Sequence, residues 1–271
     1  RTRLEQHGPV SHVWLNVPGT GWMFHILHPV SIDRLLDAVA LDPEQNLPYW
    51  AEIWPSGIGL ARTILEQGGA LKGKRTLEIG SGLGITATAA ITAGAHLTVT
   101  DYSSRSLLFC RYNTLHKTGR QPRTFQLNWR QPSKGLLAEA GAGFDAILAA
   151  DILYESRDVE PLLALIDRLI TPAGTLWLAE PGRPVARIFL AHFKLLAGPG
   201  PSKNTKARGQ TPRTPGCACG CTGCIGPRRW VTRNRPNSIL PRAVSTIWNE
   251  CGACSASFRT SVLTTETPPA T

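Results

Sequence analysis

The chain reads as an α/β protein built on a doubly wound parallel sheet with helices on both faces. Two observations predict this. Between Pro48 and Leu196, strand-like runs alternate with helix-like runs five times at short spacing, and crossovers that short require parallel strands with helices packed against them. A glycine-rich loop in "LEIGSGLGITA" (Leu77–Ala87) joins the first of these strands to its helix, which is where such sheets hold a ligand.

The elements follow in order. "HVWLNVPGTGWMFHILHP" (His12–Pro29) predicts two short strands around a turn at Pro18 and Gly19, and "SIDRLLDAVAL" (Ser31–Leu41) a short helix capped by Ser31. "SGIGLARTILEQGG" (Ser56–Gly69) carries apolar residues at helical spacing and stops at Gly68 and Gly69. "RTLEIG" (Arg75–Gly80) is a buried strand and "GITATAAITAGA" (Gly84–Ala95) a helix of small residues. "HLTVTD" (His96–Asp101) is the second strand, followed by the helix "SRSLLFCRYNTLHKTG" (Ser104–Gly119), and "RTFQLNW" (Arg123–Trp129) is the third strand. "FDAILAAD" (Phe144–Asp151) is apolar without alternation, as a strand covered on both faces should be. "DVEPLLALIDRLI" (Asp158–Ile170), "GTLWLAE" (Gly174–Glu180) and "PVARIFLAHFKLL" (Pro184–Leu196) give the next helix, the fifth strand and a last helix.

The chain divides into residues 1–45 (N-terminal strands and a short helix), 46–197 (the regular core) and 198–271 (an irregular basic tail rich in Pro, Thr and Cys). Of the net charge of +10, +8 belongs to that tail: residues 200–271 hold ten of the 29 Lys/Arg and two of the 19 Asp/Glu. The near-neutral body therefore does not predict nucleic-acid binding. No stretch approaches roughly 18 uninterrupted apolar residues, so no membrane partner is expected. The opening residues lack a signal-peptide pattern, and a chain that opens on Arg1 rather than Met implies sequence upstream. Cys110 is the one cysteine of the body, which predicts a reducing, cytoplasmic setting.

The loop itself limits what it can hold. A dinucleotide fingerprint needs a third glycine where Ile85 stands, and a triphosphate loop needs a Gly-Lys-Ser/Thr ending that is absent. Glu78, two residues before Gly80, opposes a pyrophosphate but suits a ligand with a cationic amino group and a sulfonium. Asp101 ends the second strand 21 residues after Gly80, placed to accept hydrogen bonds from two ribose hydroxyls. A ribose and positive charge without phosphate describe S-adenosylmethionine.

With Glu78, Gly80, Gly82, Gly84 and Asp101 in place, the sequence resembles the class I methyltransferases, whose Rossmann-like sheet has seven strands. "PYWAEIWPSG" (Pro48–Gly57), "LNW" (Leu127–Trp129) and "ADILYE" (Ala150–Glu155) further resemble the D-x-x-Y protein lysine methyltransferases. Within that group the resemblance is to enzymes that methylate the electron-transfer flavoprotein β subunit. It implies a cofactor, S-adenosylmethionine, and a protein substrate presenting a lysine. By the resemblance, Trp54 lies beside the methionine part of the cofactor, and Glu78, Gly80, Gly82, Gly84 and Asp101 hold its amino-acid and ribose parts. Asn128 and Trp129 meet the adenine, Ala150 contributes backbone at the mouth, and Asp151 and Tyr154 line the acceptor channel as the catalytic pair. The plainer readings are that Asp151 caps the next helix, Tyr154 packs and Trp54 anchors the core. A small-molecule N-methyltransferase and a catalytically silent cofactor-binding module remain the alternatives. The prolines of a nucleobase amino-methyltransferase motif are absent from Asp151–Tyr154.

No metal site is assigned. His25 and His28 stand at an odd offset, so a strand points them to opposite faces. Cys221-x2-Cys224 and Cys251-x2-Cys254 resemble zinc knuckles, but Cys217 and Cys219 are surplus and no periodic pattern frames them. The tail reads as disordered or out of frame, with the last two strands of the seven-strand sheet missing or degraded. A disordered basic segment that contacts acidic partners or nucleic acid is the other reading.

Overall fold

The structure, a computed structural model, describes residues 2–6, 8–36, 39, 42, 46–197, 228–231, 243–249 and 258–264. After one helical turn, α1 (Thr2–Glu5), strands β1 (Val10–Val17) and β2 (Trp22–Pro29) form an antiparallel hairpin that turns at Pro18 and Gly19. A second helical turn, α2 (Asp33–Leu36), precedes α3 (Pro55–Glu66). Pro55 occupies the first position of α3, where its missing N–H costs no hydrogen bond. The regular core then runs β3 (Arg75–Ile79), α4 (Ile85–Thr92), β4 (His96–Asp101), α5 (Ser104–Thr118) and β5 (Arg123–Gln126). It continues with α6 (Lys134–Ala140), β6 (Phe144–Ala150), α7 (Val159–Leu169), β7 (Ile170–Glu180) and α8 (Pro184–Ala197).

Two departures from the sequence reading have local causes. Helix α6 is too short for its periodicity to show, and it is held by a cap in which the Ser133 hydroxyl accepts the Leu136 N–H. Strand β7 begins at Ile170 rather than Gly174, because Ile170 pairs with Phe144 across a register shift in β6.

The core sheet has the order β5-β4-β3-β6-β7, and every pairing within it is parallel. The chain winds outward from β3 to β5, then returns to β6 on the other side, as a doubly wound fold requires. Its strands show why their sequences are nearly continuous in apolar residues. Ala146, Leu148, Trp177 and Ala179 join the cluster formed by α3, α4 and α5, whereas Ile147, Ala149, Leu176 and Leu178 join Leu162 and Ile166 of α7 and Phe189 and Phe193 of α8. Phe24, Ile26 and Leu27 of the hairpin belong to the first cluster.

Beyond β7 the backbone continues as three antiparallel strands, β8 (Arg228–Val231), β9 (Ala243–Asn249) and β10 (Phe258–Thr264), in the order β7-β10-β9-β8. The degradation expected of the last strands shows in these sequences, which carry no sustained period, yet their backbone takes the positions beside β7. The remaining tail residues, with Cys217, Cys219, Cys221, Cys224, Cys251 and Cys254, lie outside the described residues.

One side chain ties hairpin, helix and loop together. Asn113 of α5 is fully buried; its Oδ1 accepts the Leu27 N–H at 2.8 Å, and its Nδ2 donates to the carbonyls of Leu27 (3.0 Å) and Leu83 (2.9 Å). Removing it strands one donor and two acceptors away from water. Asn113→Ala is expected to destabilise the fold by about 3 kcal/mol in a urea unfolding titration; a loss under about 1 kcal/mol would show that the hairpin and loop are held by other means.

Candidate functional site

Because the strand order reverses between β3 and β6, their carboxyl ends part and leave a cavity of about 340 Å³. The glycine loop after β3 supplies one side through Gly80 and Gly82. The ends of β4 and β6 supply Asp101–Arg105 and Ala150–Ile152 with Tyr154, and the segment before α3 supplies Leu47–Trp50 and Trp54.

The loop is tied to β4 and α5 by polar contacts. The Gly80 and Ser81 N–H groups both donate to the Thr100 carbonyl. The Gly82 N–H donates to Asp101 Oδ2 at 2.9 Å, and the Ser103 N–H donates to Asp101 Oδ1 at 2.9 Å. The Ser106 hydroxyl donates to the Gly82 carbonyl. Gly80 has φ 73°, and a Cβ there would come within 2.7 Å of Ile152 Cγ2, so a side chain would close the floor of the cavity. Gly84 serves a different purpose: with φ 84°, it lets α5 approach so closely that a Cβ would lie 2.9 Å from the Cys110 Cα.

Two acids sit beneath this loop. Asp101 is 7% exposed, and burial raises its carboxyl while the Gly82 and Ser103 amides draw it back. Glu78 is 2% exposed, and burial, then the charge of Asp101, push its carboxyl well above the usual range. Its Oε2 accepts no hydrogen bond. The Cys110 thiol is likewise raised, first by burial and then by Glu78. A buried acid oxygen without a donor, beside an open floor of glycines and an accepting Asp101, suits a ligand that brings both a cationic amine and hydroxyls. S-adenosylmethionine fits that description.

The mouth of the cavity is aromatic. Tyr49 meets the edge of Trp54 at 5.9 Å and of Tyr154 at 5.1 Å, and Tyr154 lies 6.4 Å from Trp129 between ring centroids. The Trp54 indole N–H donates to the Tyr49 carbonyl at 2.7 Å. Burial, followed by the charge of Asp101, pushes the Tyr154 phenol far up, so it stays protonated. Asp151 adopts φ 57°, a left-handed conformation uncommon outside glycine, and its N–H donates to the Ala179 carbonyl at 2.9 Å. It caps no helix, since the next helical residues are Ser156–Asp158. Its carboxylate forms an ion pair with Arg183, whose guanidinium also lies 5.9 Å from the centre of the Trp54 ring.

Of the residues singled out from sequence, Trp54, Gly80, Gly82, Asp101, Trp129, Ala150, Asp151 and Tyr154 line the cavity; Glu78, Gly84 and Asn128 do not. Glu78 lies behind the loop, and Asn128 Oδ1 accepts the Arg130 N–H within a tight turn. Sequence reasoning missed Tyr49, although it lies in "PYWAEIWPSG", and Tyr102, whose hydroxyl donates to Asp42 at 2.9 Å. It also missed Arg183, which is 32 residues from Asp151 and carries no local mark of the pairing. Among the described residues, no group of three His, Cys, Asp or Glu is placed to hold a metal, and no helix is long and apolar enough to cross a membrane.

A family model described as lysine methyltransferase matches residues 44–192. The electron transfer flavoprotein beta subunit lysine methyltransferase of Rattus norvegicus is 29% identical over 143 residues, covering 51% of this chain and 52% of that protein. The protein-lysine methyltransferase METTL21E of Bos taurus is 34% identical over 128 residues, covering 45% of this chain and 43% of that protein. The chain thus spans about half the length of these relatives. A 16S rRNA N2 G1207 methyltransferase from T. thermophilus, solved with AdoMet and guanosine, shares the fold with a TM-score of 0.55 at 11% identity, over 96% of this chain and 51% of that one. The glycine loop, the acid that ends β4 and the D-x-x-Y mouth all fall inside the matched region, and the chain belongs to the lysine methyltransferase family.

Proposed function

We propose that this chain is an S-adenosylmethionine-dependent methyltransferase whose acceptor is the side-chain amine of a lysine in a protein. The observation that carries the reading is the junction of two chemistries. An aromatic mouth with a buried carboxylate opens onto a cavity floored by a glycine loop and an accepting acid. Family membership and the lysine-methylating relatives support it.

When bound, S-adenosylmethionine supplies a methyl group on a sulfonium, which an amine lone pair takes as the carbon–sulfur bond breaks and its electrons return to sulfur. Asp101 has acceptor capacity left for ribose hydroxyls after taking two backbone N–H bonds. Gly80 and Gly82 let a ligand approach the loop backbone, and Glu78 stands behind them with a carboxyl oxygen that accepts no hydrogen bond. The chain's remaining task is alignment and drying. Tyr49, Trp54, Trp129 and Tyr154 exclude water from the mouth and disfavour a charged amine, so the acceptor gives its proton to solvent before transfer. Asp151 accepts an N–H of the incoming amine and turns its lone pair toward the cavity, while Tyr154 remains a neutral hydroxyl.

Incubating the protein with radiolabelled S-adenosylmethionine and a cell lysate tests the acceptor class. Label is expected in lysine of a protein band; label confined to RNA or to small molecules would reassign the acceptor. Asp101→Ala is expected to weaken S-adenosylhomocysteine binding on the order of 100-fold by calorimetry. Asp151→Asn, which keeps a residue tolerant of the left-handed backbone, is expected to leave that affinity unchanged while slowing transfer by about 10-fold or more. Equal affinities for Asp101→Ala and the parent would remove the ribose assignment. Glu78 gives a pH test. Folding raises its carboxyl, so the folded chain keeps a proton that the unfolded chain releases. The stability this confers is full below the unfolded carboxyl range and is lost as pH rises through the folded value. The melting temperature of the parent is therefore expected to fall more than that of Glu78→Gln between about pH 5 and about pH 8; parallel pH dependences would contradict the placement of this acid.

A further inference from the structure

The geometry points to Arg183 as a positioning residue that keeps the acceptor amine uncharged at the mouth of the cavity, an inference that rests on the lysine-amine reading of this site. Its placement is built in. Gly182 turns with φ 93° and donates its N–H to Glu180 Oε2, and Pro184 starts α8 directly after the arginine. The guanidinium is thereby delivered between the Asp151 carboxylate and the Trp54 ring, with 29% of its side chain exposed against 5% for Asp151.

The physical consequence concerns the amine. A lone carboxylate at 5% exposure would draw in a lysine as its ammonium form and hold it there, because an opposite charge in a poorly hydrated site favours the protonated amine. An ammonium has no lone pair to give. With Arg183 bound to Oδ1, the charge of Asp151 is already compensated, and an arriving cation also meets a like charge. The carboxylate keeps capacity to accept an N–H from a neutral amine, so it can orient the acceptor without trapping its proton. The cation–π contact with Trp54, at 5.9 Å from the ring centre, holds the guanidinium beside the mouth. A purely structural clasp between the end of β6 and the start of α8 would share this geometry, so the test must read charge rather than stability.

The test measures single-turnover methyl transfer from about pH 6 to about pH 10. It uses the full chain and the lysate protein that the parent labels most heavily, purified and supplied at saturating concentration. Arg183→Gln is expected to move the pH midpoint of the rate up by about one unit, making transfer about 10-fold slower near neutrality and restoring it at high pH. Arg183→Lys is expected to retain the parental midpoint, since it keeps the charge while losing the planar fork. S-adenosylhomocysteine affinity by calorimetry is expected to be the same in all three proteins. An Arg183→Gln rate that falls equally at every pH, with an unmoved midpoint, would overturn the inference and leave the clasp. If the parent labels no lysine, the proposed function itself fails, and this inference fails with it.

Discussion

The site depends on one buried carboxylate. Asp101 accepts the Gly82 amide with one oxygen and the Ser103 amide with the other, so a single side chain fixes the glycine loop relative to the start of α5. A glycine loop is conformationally free in isolation; here its freedom is removed by hydrogen bonds from outside it. The Ser106 hydroxyl and the Asn113 amide extend the same restraint to the carbonyls of Gly82 and Leu83. Helix α5 is thus the splint against which the loop is set. Gly84, with no side chain to hold the two apart, allows that closeness.

The charge distribution divides the cavity by task. Below the loop, burial raises the carboxyls of Glu78 and Asp101, and the charge of Asp101 raises Glu78 further. Such a pair costs the folded chain stability, because neither carboxyl is as readily ionised there as in water. At the mouth the carboxylate of Asp151 is paired, and the walls are aromatic. The strained backbone of Asp151 belongs there too. The Ala179 carbonyl and the Arg183 guanidinium hold that residue from two sides, and strain persists only where surroundings impose it.

Much of the core was legible because its signals are local and strong. Five apolar runs alternate with helical runs, and Gly80, Gly82 and Asp101, singled out by their positions at strand ends, line the cavity. Where the local signal is weak, the sequence says less. Helix α6 is only seven residues long, too short for a period to show, and the strands beside β7 carry no sustained period of two. Asn128, assigned to the adenine by resemblance, accepts the Arg130 N–H with its Oδ1.

By itself the sequence determined the order of strands and helices, the turn that must be glycine and the two acids that frame it, since all of these are written within a few residues of one another. Only the tertiary structure decided which side chains meet at the mouth. Arg183 reaches Asp151 and Trp54 because β6 and β7 are parallel neighbours whose ends open on the same side of the sheet. Likewise, Asn113 grips Leu27 because α5 packs on the hairpin 86 residues away in sequence. Contacts of this kind arise from strand order and packing, which no short stretch of sequence contains.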